Sequence, residues 1–218
     1  MVRRLADRKE AGRLLAGRLA EHAGDPGLLV LALPRGGVEV GYEIAARLGA
    51  PLDILTVRKL GLPGHQELAM GAIGPGGERV LDEGLVRTLG LPADVIDETA
   101  RREQRELIRR EALYRSGRPA PDLRGRHVIL VDDGLATGST MRAALKSARA
   151  GDPRRLVVAV PLAAAETVES LRGEADEVVC LLTPEPFVAV GLWYDDFTPT
   201  SDQKVMSLLD RARRPRSA

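Results

Sequence analysis

The chain has 218 residues, 44% of them hydrophobic and 29% charged, which is the balance of an ordinary soluble globular protein with room for one sizeable core. A formal net charge of +1 gives no global field that would attract nucleic acid or a membrane surface, and no apolar run approaches the roughly 20 residues that a membrane helix needs. The N-terminus lacks a signal-peptide pattern, and a single cysteine, Cys180, excludes an internal disulfide, so we expect a cytoplasmic protein with no nucleic-acid or membrane partner.

Predicted strands and helices alternate along the chain. In chain order, hydrophobic periodicity and end signals predict a helix over residues 7–23, a strand over 28–33, a helix over 38–49, a strand over 52–57, a helix over 93–114, a strand over 127–132, a helix from about 138, a strand over 155–160, a helix over 164–173, a strand over 177–182 and a helix over 201–212. The glycine-rich residues 74–77 separate ELAMGAI from ERVLD, which predicts a β-hairpin. This alternation predicts an α/β fold with a parallel five-stranded sheet flanked by helices, and we expect a single domain over residues 1–218.

The predicted helix over residues 93–114 is rich in charge. Its segment REQRELIRREALYR interleaves acids with bases. Glu–Arg pairs at helical spacing stabilise an exposed helix surface, whereas a protein surface that binds nucleic acid would cluster its basic side chains. We therefore interpret this segment as a solvent-exposed face laced with ion pairs.

Three unusual segments each follow a predicted strand. Pro34-Arg35-Gly36-Gly37 follows the first strand, Arg58-Lys59 follows the second, and Asp132-Asp133-Gly134 follows the third. In open α/β sheets, ligands bind outside the carboxyl ends of the strands. We therefore expect these three segments to meet at one site.

The segment VILVDDGLATGST, residues 128–140, carries the most specific chemistry. Asp132 and Asp133 offer only acceptors, which suit the vicinal hydroxyls of a sugar or a metal ion. Residues 135–140 then supply backbone N–H groups, hydroxyls and the start of a helix, which favour an anion. The P-loop motif and the dinucleotide-binding glycine motif are both missing. Acceptors beside an anion cradle fit a ribose 5-phosphate.

This segment resembles the phosphoribosyl pyrophosphate (PRPP) signature of type I phosphoribosyltransferases. LPRGG resembles the pyrophosphate loop of that family, and TVRKLGLPG resembles the start of its flexible catalytic loop. The order of the three motifs agrees with the family over roughly residues 28–182. The motifs are most similar to those of purine phosphoribosyltransferases, and of the adenine type in particular.

The resemblance implies transfer of the 5-phosphoribosyl group of PRPP to a nitrogenous base, with Mg²⁺ as the cofactor and pyrophosphate as the leaving group. By this resemblance, Asp132 and Asp133 bind the ribose hydroxyls, and they hold Mg²⁺ mostly indirectly, through PRPP. The 5-phosphate is assigned to Ala136, Thr137, Gly138, Ser139 and Thr140, and pyrophosphate to Arg35, Gly36, Gly37, Arg58 and Lys59. Catalysis is assigned to Arg35, Lys59 and Glu67. The two glycines would let the backbone approach pyrophosphate closely. The family also implies a cis non-proline peptide near Arg35–Gly36.

A lid and a hood are expected beside the core. Residues 58–82 are interpreted as a flexible β-hairpin lid that shields the reaction from water. Glu67 is its best-placed carboxylate for proton transfer, and His65 is the other titratable group. A small hood is expected over residues 183–218, with the N-terminal helix as a further part.

An aromatic cluster near the C-terminus has two interpretations. Residues 187–197 hold both phenylalanines, the only tryptophan and one of three tyrosines. The segment resembles the base-binding region of hypoxanthine-guanine enzymes, which would assign base binding to Phe187, Val188, Trp193 and Asp195. The alternative is a small hydrophobic cluster that pins the C-terminal helix.

The acceptor and the function class stay open at this point. Motifs near the start of the chain point to adenine and the aromatic segment points to oxopurines, while Ala136 stands where hypoxanthine-guanine enzymes carry an aspartate. A PRPP-sensing regulatory or binding protein on the same fold is the alternative to a transferase, although it would need no lid. The fold often pairs, so we expect a homodimer.

Overall fold

The structure, a computed structural model, describes residues 4–62, 65–77 and 79–214, with only the backbone described for residues 65–68 and 76. Its strands are Leu28–Ala32 (β1), Leu52–Ile54 (β2), Arg58–Leu62 (β3), His65–Ile73 (β4), Arg79–Leu81 (β5), His127–Val131 (β6), Arg155–Leu162 (β7) and Glu177–Leu182 (β8). Its α-helices are Arg8–Arg18 (α1), Gly36–Leu48 (α2), Glu83–Leu89 (α3), Ala93–Arg115 (α4), Ser139–Ala150 (α5), Ala165–Leu171 (α6) and Asp202–Arg213 (α7). None of the described helices is long and apolar enough to cross a membrane.

Five parallel strands form the central sheet in the order β2-β1-β6-β7-β8, which confirms the predicted fold class. Every residue of β1 and β6 is buried, as expected for parallel strands covered on both faces. Alternate side chains point to opposite faces: Val30 and Ile129 pack under α1, α2 and α7, whereas Leu31 and Leu130 pack under α5 and α6. The alternation of strands and helices in the sequence thus produces three layers, with the sheet between two layers of helices.

Two predicted elements end several residues earlier in the structure than the sequence indicated. The strand predicted over 52–57 ends at Ile54, which pairs in register with Ala32, the last residue of β1; Leu55 still donates its N–H to the Ala32 carbonyl at 3.1 Å, and the pairing stops there. The helix predicted over 7–23 begins after the Asp7 cap as expected, but it ends at Arg18 and tightens into a 3₁₀ turn at Ala20–His22.

A second sheet of three antiparallel strands, β3-β4-β5, stands beside the core. The predicted hairpin is present as β4 and β5, and β3 adds a strand that the sequence did not indicate. Leu60, Met70 and Ile73 from this sheet pack against α4 through Ala100 and Leu107. The sheet and the long helix therefore form one small unit with its own core.

The start of the described chain contacts the segment that follows β8. Leu5 donates its N–H to the carbonyl of Trp193 at 2.9 Å and forms a parallel bridge with Tyr194. The last helix, α7, contributes Val205 and Leu209 to the core face that it shares with α2. The segment between β8 and α7 is thereby held close to the start of α1.

Candidate active site

The segments that follow β1, β2 and β6 meet at the carboxyl edge of the central sheet. They line a cleft of about 340 Å³ together with one face of α4. We name this the cationic cleft, and its lining residues are Pro34, Val57, Arg58, Lys59, Gly61, Arg102, Glu103, Arg110 and Thr140. The cleft thus joins Pro34 and the Arg58-Lys59 segment to Thr140 of the turn after β6, whereas Asp132 and Asp133 are not among its lining residues and instead lie against Gly36 and Gly37.

Asp132 and Asp133 follow directly after β6, and each is half-buried. One oxygen of Asp132 accepts the N–H of Asp133 at 2.8 Å, which fixes the carboxylate against its own backbone. One oxygen of Asp133 accepts the Nε–H of Arg8 from α1 at 2.7 Å. Burial, followed by repulsion from Asp133, raises the pKa of Asp132 well above its usual range.

Residues 136–140, which we name the phosphate loop, are anchored through their carbonyl groups. Thr167 of α6 donates its hydroxyl to the carbonyl of Ala136 at 2.7 Å, and Arg142 donates to the carbonyl of Thr137 at 2.8 Å. Within the described part of the chain, the N–H groups of Ala136, Thr137 and Gly138 have no hydrogen-bond partner. These donors sit at the N-terminus of α5, so the loop can bind an anion.

Gly138 sets the shape of this loop. It caps α5 with a left-handed φ of 70°, a conformation that side chains disfavour. A Cβ atom at Gly138 would also lie 2.7 Å from Cγ2 of Thr167. Only glycine therefore fits this position without moving α6 or the loop.

Gly36 and Gly37 begin α2, and the structure gives them a packing role that the sequence did not predict. A Cβ atom on Gly37 would lie 2.7 Å from the carbonyl oxygen of Val131 and 2.9 Å from Cα of Asp132, and one on Gly36 would overlap the carboxylate of Asp133. The glycines thus let α2 approach the aspartate pair. The peptide bond between Pro34 and Arg35 is cis, one bond before the predicted position.

The predicted cationic side chains are paired with acids from distant elements. Arg58 donates from Nε and Nη2 to one oxygen of Glu103 at 2.9 and 2.6 Å. Nη1 of Arg35 lies 3.8 Å from Asp202, at the start of α7. Lys59 is exposed, and it lines the cationic cleft beside Arg58.

Part of the charged face of α4 is exposed to solvent, and another part lines the cationic cleft. The expected ion pairs are present, and hydrogen bonds from Arg109 and Arg110 lower the pKa of Glu106 to about 2. However, Arg102 and Arg110 also line the cationic cleft, opposite Arg58. The prediction of a merely solvated face therefore missed part of the site.

The four predicted base-binding residues are divided between a hydrophobic cluster and the surface. Phe187 and Trp193 pack against a small cluster that contains Leu5, Leu162 and Tyr194. Val188 is 72% exposed, and Asp195 forms an ion pair with Arg4 at 3.2 Å. Phe187 and Trp193 therefore help to hold the C-terminal segment in place, as the alternative interpretation expected. A role of the four residues in binding a base stays a prediction.

Arg8 and Tyr194 belong to the site but were not predicted. The Tyr194 hydroxyl donates to the carbonyl of Asp133 at 2.7 Å. Arg8 also donates to the carbonyl of Thr198 at 2.9 Å, and its guanidinium lies 4.0 Å from the centre of the Phe197 ring. No local pattern could have found Arg8, because its partner Asp133 is 125 residues away.

Glu67 and His65 stay untested, because their side chains lie outside the described residues. For Mg²⁺ the donor set does fit: Asp132 and Asp133 supply only oxygen atoms, and a divalent cation would offset both the burial and the mutual repulsion that raise the pKa of Asp132. The two aspartates are therefore the described residues that would hold Mg²⁺ or its PRPP complex.

Comparison with known proteins gives consistent matches. A family model for the phosphoribosyl transferase domain matches residues 3–195. Two Mycobacterium tuberculosis proteins, MT0597 and Rv0571c, whose names call them phosphoribosyl transferases, are each 50% identical over 208 residues, covering 95% of this chain and 47% of theirs. The chain thus spans about half the length of these curated relatives. The crystal structure of TT1426 from Thermus thermophilus is similar with a TM-score of 0.86 and 47% identity, over 94% of this chain and 97% of that one.

Proposed function

The chain belongs to the phosphoribosyl transferase domain family, and on that premise we propose that it transfers the 5-phosphoribosyl group of PRPP to a nitrogenous base. The reaction breaks the bond between ribose C1 and a pyrophosphate oxygen and forms a bond from C1 to a base nitrogen. The observation that carries the proposal is the phosphate loop, in which three N–H groups without a partner among the described residues follow two half-buried carboxylates.

The turn after β6 would bind the ribose 5-phosphate. The N–H groups of Ala136, Thr137 and Gly138 would donate to the phosphate oxygens, with the hydroxyls of Thr137, Ser139 and Thr140 close by. Asp133 would accept from the ribose hydroxyls, and its ion pair with Arg8 orients the carboxylate for that task. Arg8 is thus a positioning residue in this proposal.

The cationic cleft would bind the leaving group. Arg58, Lys59 and Arg110 line it, and pyrophosphate would compete with Glu103 for the guanidinium of Arg58. Mg²⁺, held by Asp132 and Asp133 or through PRPP, would supply further neutralisation of the charge on pyrophosphate. Each tenfold in rate needs about 1.4 kcal/mol of selective stabilisation, which is within the range of charge-assisted hydrogen bonds.

The base site is the least constrained part of the proposal. A purine-like base would lie between the phosphate loop and residues 187–195, where Val188 presents an exposed apolar side chain. Glu67, on β4, is the candidate to accept the proton that the attacking nitrogen loses. The lid over residues 58–82, the hood over residues 183–218, the homodimer and the cytoplasmic location also stay predictions.

The test is a pyrophosphate-release assay with Mg²⁺, PRPP and a panel of purine and pyrimidine bases, run beside calorimetric titration of PRPP. We expect one base or a small group of bases to release pyrophosphate in step with nucleotide formation. PRPP binding without turnover of any base would favour the PRPP-sensing alternative. No binding of PRPP would contradict both functions.

A further inference from the structure

The opposite edge of the central sheet holds a second cluster of potential ligands. Glu21 and His22 lie in the 3₁₀ turn that follows α1, and Glu177 is the first residue of β8. We name these three residues the amino-edge cluster. One ligand atom from each lies within 4.8 Å of the other two. The cluster is independent of the candidate active site, which lies at the carboxyl edge.

The spacing of these atoms suits a bridging metal ion. Nε2 of His22 is 3.5 Å from an oxygen of Glu177 and 3.8 Å from an oxygen of Glu21. Both distances exceed the usual length of a hydrogen bond. Two ligands that each lie about 2.1 Å from a tetrahedral zinc ion are separated by roughly 3.4 Å. A metal ion therefore fits between these atoms with small side-chain adjustments.

The imidazole of His22 is buried within the amino-edge cluster. Its side chain is only 2% exposed, and its Nε2 atom has no hydrogen bond within the described part of the chain. A buried ring nitrogen left without a partner is costly. Burial also lowers the pKa of His22, which favours the neutral imidazole.

Several neighbouring groups bear on this cluster. Arg155, at the start of β7, donates to the same oxygen of Glu177 at 2.7 Å and would compete with a cation. His127 contacts His22 edge-on with ring centres 4.9 Å apart, but its Nδ1 is bonded to Asp25 at 2.9 Å. Cys180 is not among the residues whose ligand atoms come together in this cluster.

We propose that Glu21, His22 and Glu177 bind a divalent transition-metal ion of the zinc class, with water completing the coordination. One nitrogen and two carboxylate ligands suit Zn²⁺ better than Mg²⁺, which prefers oxygen ligands alone. The ion would join the end of α1 to the start of β8. It would therefore stabilise the helix that delivers Arg8 to the opposite edge.

The test uses the full chain, stripped of metal, with Zn²⁺ alone as the probe in calorimetry and thermal unfolding. We expect a saturable site that depends on Glu21, His22 and Glu177, and a rise in Tm when Zn²⁺ is added. Glu21→Gln, at a side chain that is 71% exposed, should weaken zinc binding about tenfold or more without changing the Tm of the metal-free protein. Glu177→Gln should act likewise, and His22→Asn should remove the site.

Two further variants separate the amino-edge cluster from other sites. Arg155→Met should tighten zinc binding by removing the competing cation. Glu169→Gln, at an exposed glutamate that pairs with Arg172, should leave affinity unchanged. Zinc binding that survives unchanged in Glu21→Gln and Glu177→Gln would overturn the proposal, as would the lack of any saturable site.

Discussion

The turn that leaves β6 and the cationic cleft face the same edge of the sheet, but different kinds of contact hold them in place. The phosphate loop is fixed by its own backbone, through carbonyl contacts to Thr167 and Arg142. The cationic cleft is made by long side chains, and its central residue Arg58 is bound to Glu103. One half of the site offers main-chain donors, and the other half offers charges that are already paired.

This difference determines how each half should respond to change. Backbone donors can be displaced only by altering the conformation of the loop, so most side-chain truncations there should have modest effects. Paired side chains must exchange one partner for another when an anion binds, so their replacement changes affinity directly. The variants below probe the backbone half first and the side-chain half afterwards.

The largest effect is expected for Gly138→Val. A left-handed β-branched residue costs roughly 1–2 kcal/mol in stability, and the new Cβ would meet Thr167 at 2.7 Å. We expect PRPP affinity, measured by calorimetry, to fall by about a hundredfold, or roughly 2.7 kcal/mol. Gly90→Val is the matched control, because Gly90 has a similar φ of 58° in the exposed end of α3 with no atom near its Cβ. Equal losses of affinity in both variants would contradict the assigned role of the loop.

Asp133→Asn should have the next largest effect. The change removes the charge that accepts from the ribose hydroxyls and leaves the guanidinium of Arg8 buried without its counter-ion. We expect PRPP affinity to fall about tenfold and the free energy of unfolding to fall by about 3 kcal/mol. Asp210→Asn, at an exposed position on α7, is the control. Unchanged PRPP affinity in Asp133→Asn would contradict the proposal that Asp133 binds the ribose hydroxyls.

Arg58→Ala should separate the two halves of the site. Pyrophosphate affinity should fall about fivefold to tenfold, roughly 1–1.4 kcal/mol, whereas ribose 5-phosphate affinity should stay the same. Arg110→Ala, on the facing side of the cleft, should act in the same direction but less strongly, because Glu106 holds its guanidinium. Arg109→Ala is the control, since Arg109 pairs with the same glutamate but does not line the cleft. A fall in ribose 5-phosphate affinity equal to that for pyrophosphate would show that the halves are not separate.

The smallest effect is a pH dependence that arises from Asp132. Because its pKa is raised in the folded protein, the native state keeps a proton that the unfolded chain has already lost. This contribution to stability is complete below the ordinary aspartate pKa of about 3.9 and is lost as the pH rises through the raised value. Chemical denaturation of the wild type and Asp132→Asn across this interval should show a decline in the wild type that the variant lacks. Parallel curves would be inconsistent with the raised pKa.

The sequence predicted the sheet and the phosphate loop because both depend on local patterns. The apolar run of β8 gave Glu177–Leu182 with the right bounds, and the helix predicted from about residue 138 begins at Ser139. The strand β3 was missed because its pairing depends on β4 rather than on its own residues. The helix α3 was missed because its seven residues are too few to show a clear helical period.

The parts of the site that sequence reasoning missed are long-range ion pairs. Arg8 resembles any charged residue in the first turn of a helix, and its burial against Asp133 is set by how α1 packs on the core. In the sequence, the basic side chains of α4 look like part of a solvent-exposed helix surface. In the structure, α4 packs beside β3, and Arg102 and Arg110 line the cleft. Such pairs follow from tertiary packing, which no spacing along the chain encodes.

The most direct test of the central claim is an amide NMR titration of the protein with ribose 5-phosphate. The account predicts that the N–H resonances of Ala136, Thr137 and Gly138 move most and saturate together, while those at the start of α7 stay fixed. Saturable binding of ribose 5-phosphate that leaves these three resonances unmoved would contradict it.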